Sequence, residues 1–191
     1  MNLKKISSLL VIFMVLGTIG CIIVDYDASR ILTYLAVIPV LLAPLLLRKT
    51  KYKLNDRELL FYYLFIFLAD FFGCVVNLYN KIGWYDLFTH FLSGIFTFGI
   101  GMFILKRVGI QEKNFFFDLL FCFCFVMFVA GIWELFEYGA DFLLGMDLQH
   151  HLDTGVNDTM EDMLAAFIGG IVTLISYFGV KRKMFKSEYR S

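Results

Sequence analysis

Proline and charge are the two things this chain is short of. Two of its 191 residues are proline and 18% are charged, where a soluble domain carries about 25% charged residues. Seventeen basic residues balance seventeen acidic ones, so there is no basic excess of the kind a nucleic-acid partner requires. Histidine is scarcer still. His90, His150 and His151 are the only three, which leaves no HExxH, no ExxH pair and no repeated histidine box. The four cysteines, Cys21, Cys74, Cys122 and Cys124, form no CxxC pair and each lies inside an apolar run. That pattern suits small buried hydrophobes better than a disulfide framework or a thiolate metal site. Internal repeats and low-complexity tracts are also missing.

What is abundant is grease. Sixty per cent of the residues are hydrophobic, 23 are phenylalanine, and the mean hydropathy is +0.75. Such a chain has a bilayer as its solvent. Apolar runs long enough to cross one need about 17–25 residues, and six are expected, at 6–24, 31–47, 59–78, 86–105, 115–138 and 160–180. Polar or turn-forming clusters separate them, the longest being "GADFLLGMDLQHHLDTGVND". No room remains for a separate soluble domain, so residues 1–191 read as a single transmembrane domain. The expected fold is all-α, a polytopic bundle of about six transmembrane helices.

Basic residues set the orientation, because lysine and arginine accumulate on the cytoplasmic side. Lys4 and Lys5 precede the first span. Arg48, Lys49, Lys51, Lys53 and Arg57 follow the second, Lys106, Arg107 and Lys113 follow the fourth, and Lys181, Arg182, Lys183, Lys186 and Arg190 end the chain. Only Arg30 and Lys81 fall on the other side. Both termini are therefore expected in the cytoplasm. The start, "MNLKKISSLLVIFMVLGTIGC", resembles a lipoprotein signal, but Thr18 stands where such signals carry a branched aliphatic residue. An uncleaved first span is expected.

This threading sends the acids to the outer side. Glu134, Glu137 and Asp141 share one helical face by their spacing and lie at the outer end of the fifth span. Asp86 and His90 share a face at the outer end of the fourth. Asp158, Glu161 and Asp162 open the sixth, and the third places Asp70 beyond mid-depth. A carboxylate at a helix start is stabilised by the helix dipole, which alone accounts for Asp86, Asp158, Glu161 and Asp162. It does not account for Glu134 and Glu137, expected at a helix C-terminus, or for His90, a turn inside its span. An ionisable side chain at that depth usually faces the bundle interior. Small residues continue these faces: Gly94, Thr97 and Gly101 beneath His90, and Ala165, Ala166, Gly169 and Gly170 beneath Asp162. Helix backbones approach closely through such positions in lipid, so the fourth and sixth spans are expected to touch. Trp84, Tyr85, Trp133 and Tyr138 fall at the depth of an aromatic belt.

The expected ligand-binding cluster is therefore Asp86, His90, Glu134, Glu137, Asp141, Asp158 and Asp162. Three kinds of chemistry remain open for it. His90 with Glu134, Glu137, Asp158 and Asp162 supplies one imidazole and several oxygens, a set for a divalent cation such as Zn, Mn or Mg. An acidic mouth with aromatic rims would instead hold an envelope lipid or glycan head group. His90 beside a carboxylate would also allow acid–base catalysis by a metal-dependent hydrolase or transferase, and Asp70 with His90 a proton-coupled transporter. Whether the protein is an enzyme stays open. The connection at 139–158 holds no Lys or Arg, and "DFLLGMDL" is apolar enough to lie along the interface or re-enter the bundle.

Three segments, "YDLFTHFLSG" (85–94), "GIWELFEY" (131–138) and "DTGVNDTMEDMLAAFIGG" (153–170), resemble the signature segments of the YjdF-like bacterial membrane proteins. Their order and their placement on three successive spans match, over roughly residues 59–180. The layout is more distantly similar to VanZ-like proteins, with an extra residue between Asp86 and His90, Glu137 where a Gln is usual, and an acid at Asp162 in place of an Asn-type residue. The first resemblance implies a multi-pass protein of the bacterial cell membrane. The second implies a cell-envelope role, including lowered sensitivity to glycopeptide antibiotics such as teicoplanin. The Gly-flanked serine of rhomboids, the D-G-x-x-A-R run of phosphatidyl-alcohol transferases and the Arg- and His-centred motifs of lipid phosphatases are missing.

Overall fold

A computed structural model of the chain describes residues 2–24, 28–110, 115–145 and 147–188, with side chains at all of these except 28–36, 151 and 180–188. Every regular element among the described residues is helical. In chain order they are α1 (Leu3–Val24), α2 (Ala28–Leu47), α3 (Asp56–Ile66, continuing as a π-helix over Phe67–Val75), α4 (Leu78–Lys81), α5 (Tyr85–Val108), α6 (Phe115–Leu144), α7 (His151–Thr154) and α8 (Asn157–Glu188). Five are long and apolar enough to cross a membrane: α1, α3 with its π-helical extension, α5, α6 and α8 up to Gly179. The described apolar part of α2 is shorter, Val37–Leu47. The first six residues of the expected second span, 31–36, lie outside the described side chains. The polytopic helical bundle read from hydropathy is thus the architecture of the chain.

Contacts gather the helices into two compact units, Met1–Asp86 and Leu87–Ser191. In the first, Met14, Val37, Leu41, Tyr63, Ile66, Phe71 and Val75 form the core. Both prolines of the chain, Pro39 and Pro44, lie inside α2. A proline has no N–H to give, so Pro44 deprives the carbonyl four residues earlier, Val40, of its helical donor. The Tyr62 hydroxyl of α3 donates to that Val40 oxygen, and the neighbouring Tyr63 hydroxyl donates to Leu41 O at 3.3 Å. Because a buried carbonyl left without a donor costs about 1–3 kcal/mol, Tyr62→Phe is expected to lower thermal stability in detergent by that order. A melting temperature unchanged from the parent would show that α2 does not depend on this bond.

The N-terminus of α3 is set by Asn55, whose side chain accepts from the amides of Arg57 and Glu58 while Glu58 returns a bond to the Asn55 amide at 2.7 Å. Farther along, the helix widens to π geometry around Asp70, and the Tyr85 hydroxyl donates to the Leu68 carbonyl at 2.8 Å. Gly73 lies under the Tyr79 ring, where a Cβ would overlap it. Asn77 then turns the chain with a left-handed φ of 65°, a conformation that asparagine tolerates better than most residues.

In the second unit the core is Phe98, Leu105, Leu119, Cys122 and Val126. Cys122 is buried and Cys124 exposed, so the C-x-C pair does point to two helix faces and Cys124 is not a buried hydrophobe. α5 and α8 pack backbone to backbone. A Cβ at Gly94 would overlap the carbonyl oxygen of Ala166, and one at Gly169 the carbonyl oxygen of Phe91. The expected contact between the fourth and sixth spans is present, through two of the small residues named for it. α6 differs from expectation. It continues to Leu144, six residues past the expected end at 138, because Gly139 is absorbed into the helix. Glu134 and Glu137 therefore lie within α6 and not at its C-terminus.

Candidate functional site

Close packing at Gly94 and Gly169 fixes what stands one to two turns above it. Asp86 is in the first turn of α5 and His90 follows four residues later on the same face. Asp162 is the sixth residue of α8, four residues before Ala166, so it sits one turn above the α5–α8 contact. The result is a group of three: one ligand atom each from Asp86, His90 and Asp162, all within 4.8 Å of one another. His90 and Asp162 are buried, and Asp86 is half-buried.

His90 Nε2 lies 3.8 Å from Asp162 Oδ2. That is too long for a hydrogen bond. It lies within the separation that two ligands of one ion can span, since metal–nitrogen and metal–carboxylate bonds run about 2.0–2.2 Å each. Below this pair, Ser93 Oγ donates to the His90 carbonyl at 2.7 Å and Thr97 Oγ1 to the Ser93 carbonyl at 2.6 Å. These bonds turn both hydroxyls back on their own helix, and Ser93 is not offered as a nucleophile.

The other expected acids go elsewhere. Glu137 accepts a hydrogen bond from Trp133 Nε1 at 2.8 Å, one turn back along α6. Asp141 accepts two backbone N–H groups from the connection beyond α6, Leu148 on Oδ1 at 2.7 Å and Gln149 on Oδ2 at 3.1 Å. Asp158 is half-buried in the first turn of α8 and lies outside the group of three. Glu134 is buried and is reached by a residue that sequence reasoning did not single out. The Gln149 side-chain amide lies 3.3 Å from the Glu134 carbonyl and 3.5 Å from its Oε2, and 3.1 Å from Thr159 Oγ1. Thr159 precedes Asp162 by three residues, so Gln149 ties α6 to α8 one turn above the group. Its only signal was being the one glutamine between residues 139 and 158. Of the expected cluster, then, Asp86, His90 and Asp162 lie within 4.8 Å of one another, Glu134 contacts Gln149, which also reaches Thr159, Glu137 and Asp141 bond to Trp133 and to the Leu148 and Gln149 amides, and Asp158 stands outside the three. Asp70, in the π-helical segment, belongs to the first unit.

Helices of this length and apolarity, with carboxylates and an imidazole drawn to one end of an interior contact, define a multi-pass integral membrane protein. The chain belongs to the family described as predicted membrane protein (DUF2238), whose model matches residues 6–183. The YjdF-like proteins that its three signature segments resemble are this family. No curated protein and no solved structure matches the chain.

Proposed function

We propose that the protein binds a divalent cation through Asp86, His90 and Asp162, on the extracytoplasmic side of a bacterial cell membrane. The observation that carries this reading is the spacing of the three ligand atoms, all within 4.8 Å. Chemistry supports it as well, since two carboxyl groups beside an imidazole in a low-dielectric setting supply the donors a divalent ion takes. One nitrogen and two carboxylates are borderline-to-hard donors, which suits Zn or Mn better than a soft monovalent ion and leaves Mg as the weaker candidate. Three protein ligands leave coordination positions for an outside oxygen, so an envelope lipid or glycan head group would join the site through its phosphate or hydroxyl oxygens. The distant likeness to VanZ-like proteins agrees with such a cell-envelope role, and the strong bias of basic residues supports the outer placement.

Calorimetric titration of the purified protein in nanodiscs with Zn, Mn and Mg salts tests the reading. Saturable, equimolar uptake of at least one of these ions is expected, with Asp86→Asn weakening it. Flat titrations with all three ions, on protein that melts cooperatively, would remove it.

A further inference from the structure

The last turn of α6 and the connection to α8 turn several large apolar side chains outward. Phe142 is 77% exposed, Leu143 76% and Leu152 76%, with Leu144 and Val156 at 65% each. Meanwhile both oxygens of Asp141 are turned onto the Leu148 and Gln149 amides, and Asp147 Oδ1 lies 3.4 Å from the Leu152 amide. Gln149 spends its side chain on Glu134 and Thr159, and Thr154 Oγ1 donates to the His150 carbonyl. A loop in water shows the opposite arrangement. Turning polar groups inward onto backbone amides and carbonyls is what a bilayer asks of any segment entering it, since unsatisfied polar groups are costly there.

Length points the same way. At 30 residues α6 is about 45 Å long, whereas a helix of about 20 residues crosses the roughly 30 Å hydrocarbon core. Trp133 and Tyr138, both exposed, mark the interfacial depth one to three turns before its end. The helix nevertheless stays apolar to Leu144, and its exposed face runs without a break from Phe128, Ile132 and Leu135 into Phe142 and Leu143. No Lys or Arg occurs from 139 to 158, and the exposed Asp153 and Asn157 give the connection a polar edge.

We propose that the last turn of α6 and the described part of the connection beyond it form a lipid-interface element, lying with Phe142, Leu143, Leu144, Leu152 and Val156 in the head-group and upper acyl region of the bilayer. Its apolar face continues the lipid-facing surface of α6, so lipid is the occupant that requires no second surface. The inference does not depend on cation binding.

The test places a fluorophore on that face. Leu152→Trp is made in a Trp84→Phe, Trp133→Phe background and reconstituted in nanodiscs of phosphatidylcholine brominated high on one acyl chain. A parallel Phe142→Trp variant guards against a local folding defect, and thermal melting confirms that each variant folds. Loss of most of the tryptophan emission to brominated lipid, with protection from aqueous acrylamide, is expected. Quenching by acrylamide and not by brominated lipid would mean that the segment stands in water. Resistance to both would mean that a second copy or another protein covers it. Either result overturns the proposal.

Discussion

Alanine at Gly94 is expected to collapse the second unit, although it adds a single methyl group. Its Cβ would overlap the carbonyl oxygen of Ala166 and come within 3.0 Å of the Gly170 amide nitrogen. Those atoms are backbone and cannot rotate away. Gly169→Ala meets the Phe91 carbonyl from the other side of the same contact. Relief requires α5 and α8 to separate along their length. Overpacking in a close-packed interior costs about 1–3 kcal/mol and occasionally more, and a clash of backbone against backbone belongs at or beyond the upper end. Set against total stabilities of about 5–15 kcal/mol, that is enough to lose folded protein. Fluorescence-detected size exclusion and thermal melting in detergent read the effect. Gly131→Ala and Gly139→Ala are the controls: both sites lie in α6 with nothing within 4 Å of the added methyl. They are expected to be neutral or, by helix propensity, to gain about 1 kcal/mol or less. If Gly94→Ala melted like these controls, the α5–α8 contact would not hold the unit together.

The second large effect concerns His90 and Asp162. On the cation reading, His90→Ala removes the one nitrogen donor, and Asp162→Asn keeps the shape while removing one of the two carboxyl groups. Each is expected to weaken Zn or Mn binding by more than tenfold, about 1.4 kcal/mol per decade. Stability gives an independent readout. A ligand that binds only the folded state stabilises it by about 2.7 kcal/mol at a hundred times its dissociation constant. The parent should therefore melt higher in saturating cation than in chelator, and the two variants should lose that difference. A purely structural role for the His90–Asp162 pair predicts the reverse pattern, in which the variants melt lower than the parent by the same margin with or without cation. Parallel curves of that kind would remove the cation from the account.

The sequence spoke clearly wherever one residue type follows directly from one physical demand. Bilayer solvation demands apolar runs, and these were legible to within a few residues at most span ends. Close helix approach demands small side chains, and Gly94 and Gly169 were legible as contact points for that reason. The spacing of Asp86 and His90 placed them on one helix face, as any i, i+4 pair must be. The end of α6 was less legible, because Gly139 reads as a breaker although a helix packed by its neighbours absorbs one glycine at a cost of about 1 kcal/mol. The π-helical turn around Asp70 left no mark in the pattern of residue types. Nor did the division of labour among the acids, since Glu134, Glu137 and Asp141 share a face by spacing and yet bond differently, Glu137 to Trp133, Asp141 to the Leu148 and Gln149 amides and Glu134 to the Gln149 side chain.

Composition and periodicity alone determined that this is an all-helical, multi-pass membrane protein, because transfer into lipid is a sum over residues and depends little on their three-dimensional neighbours. Only the tertiary structure decided which polar side chains meet. Asp162 joins Asp86 and His90 because two glycines let α5 and α8 touch, and Gln149 reaches Glu134 and Thr159 because Asp141 folds the connection back. Those meetings depend on distances between residues far apart in the chain, which hydropathy and spacing do not encode.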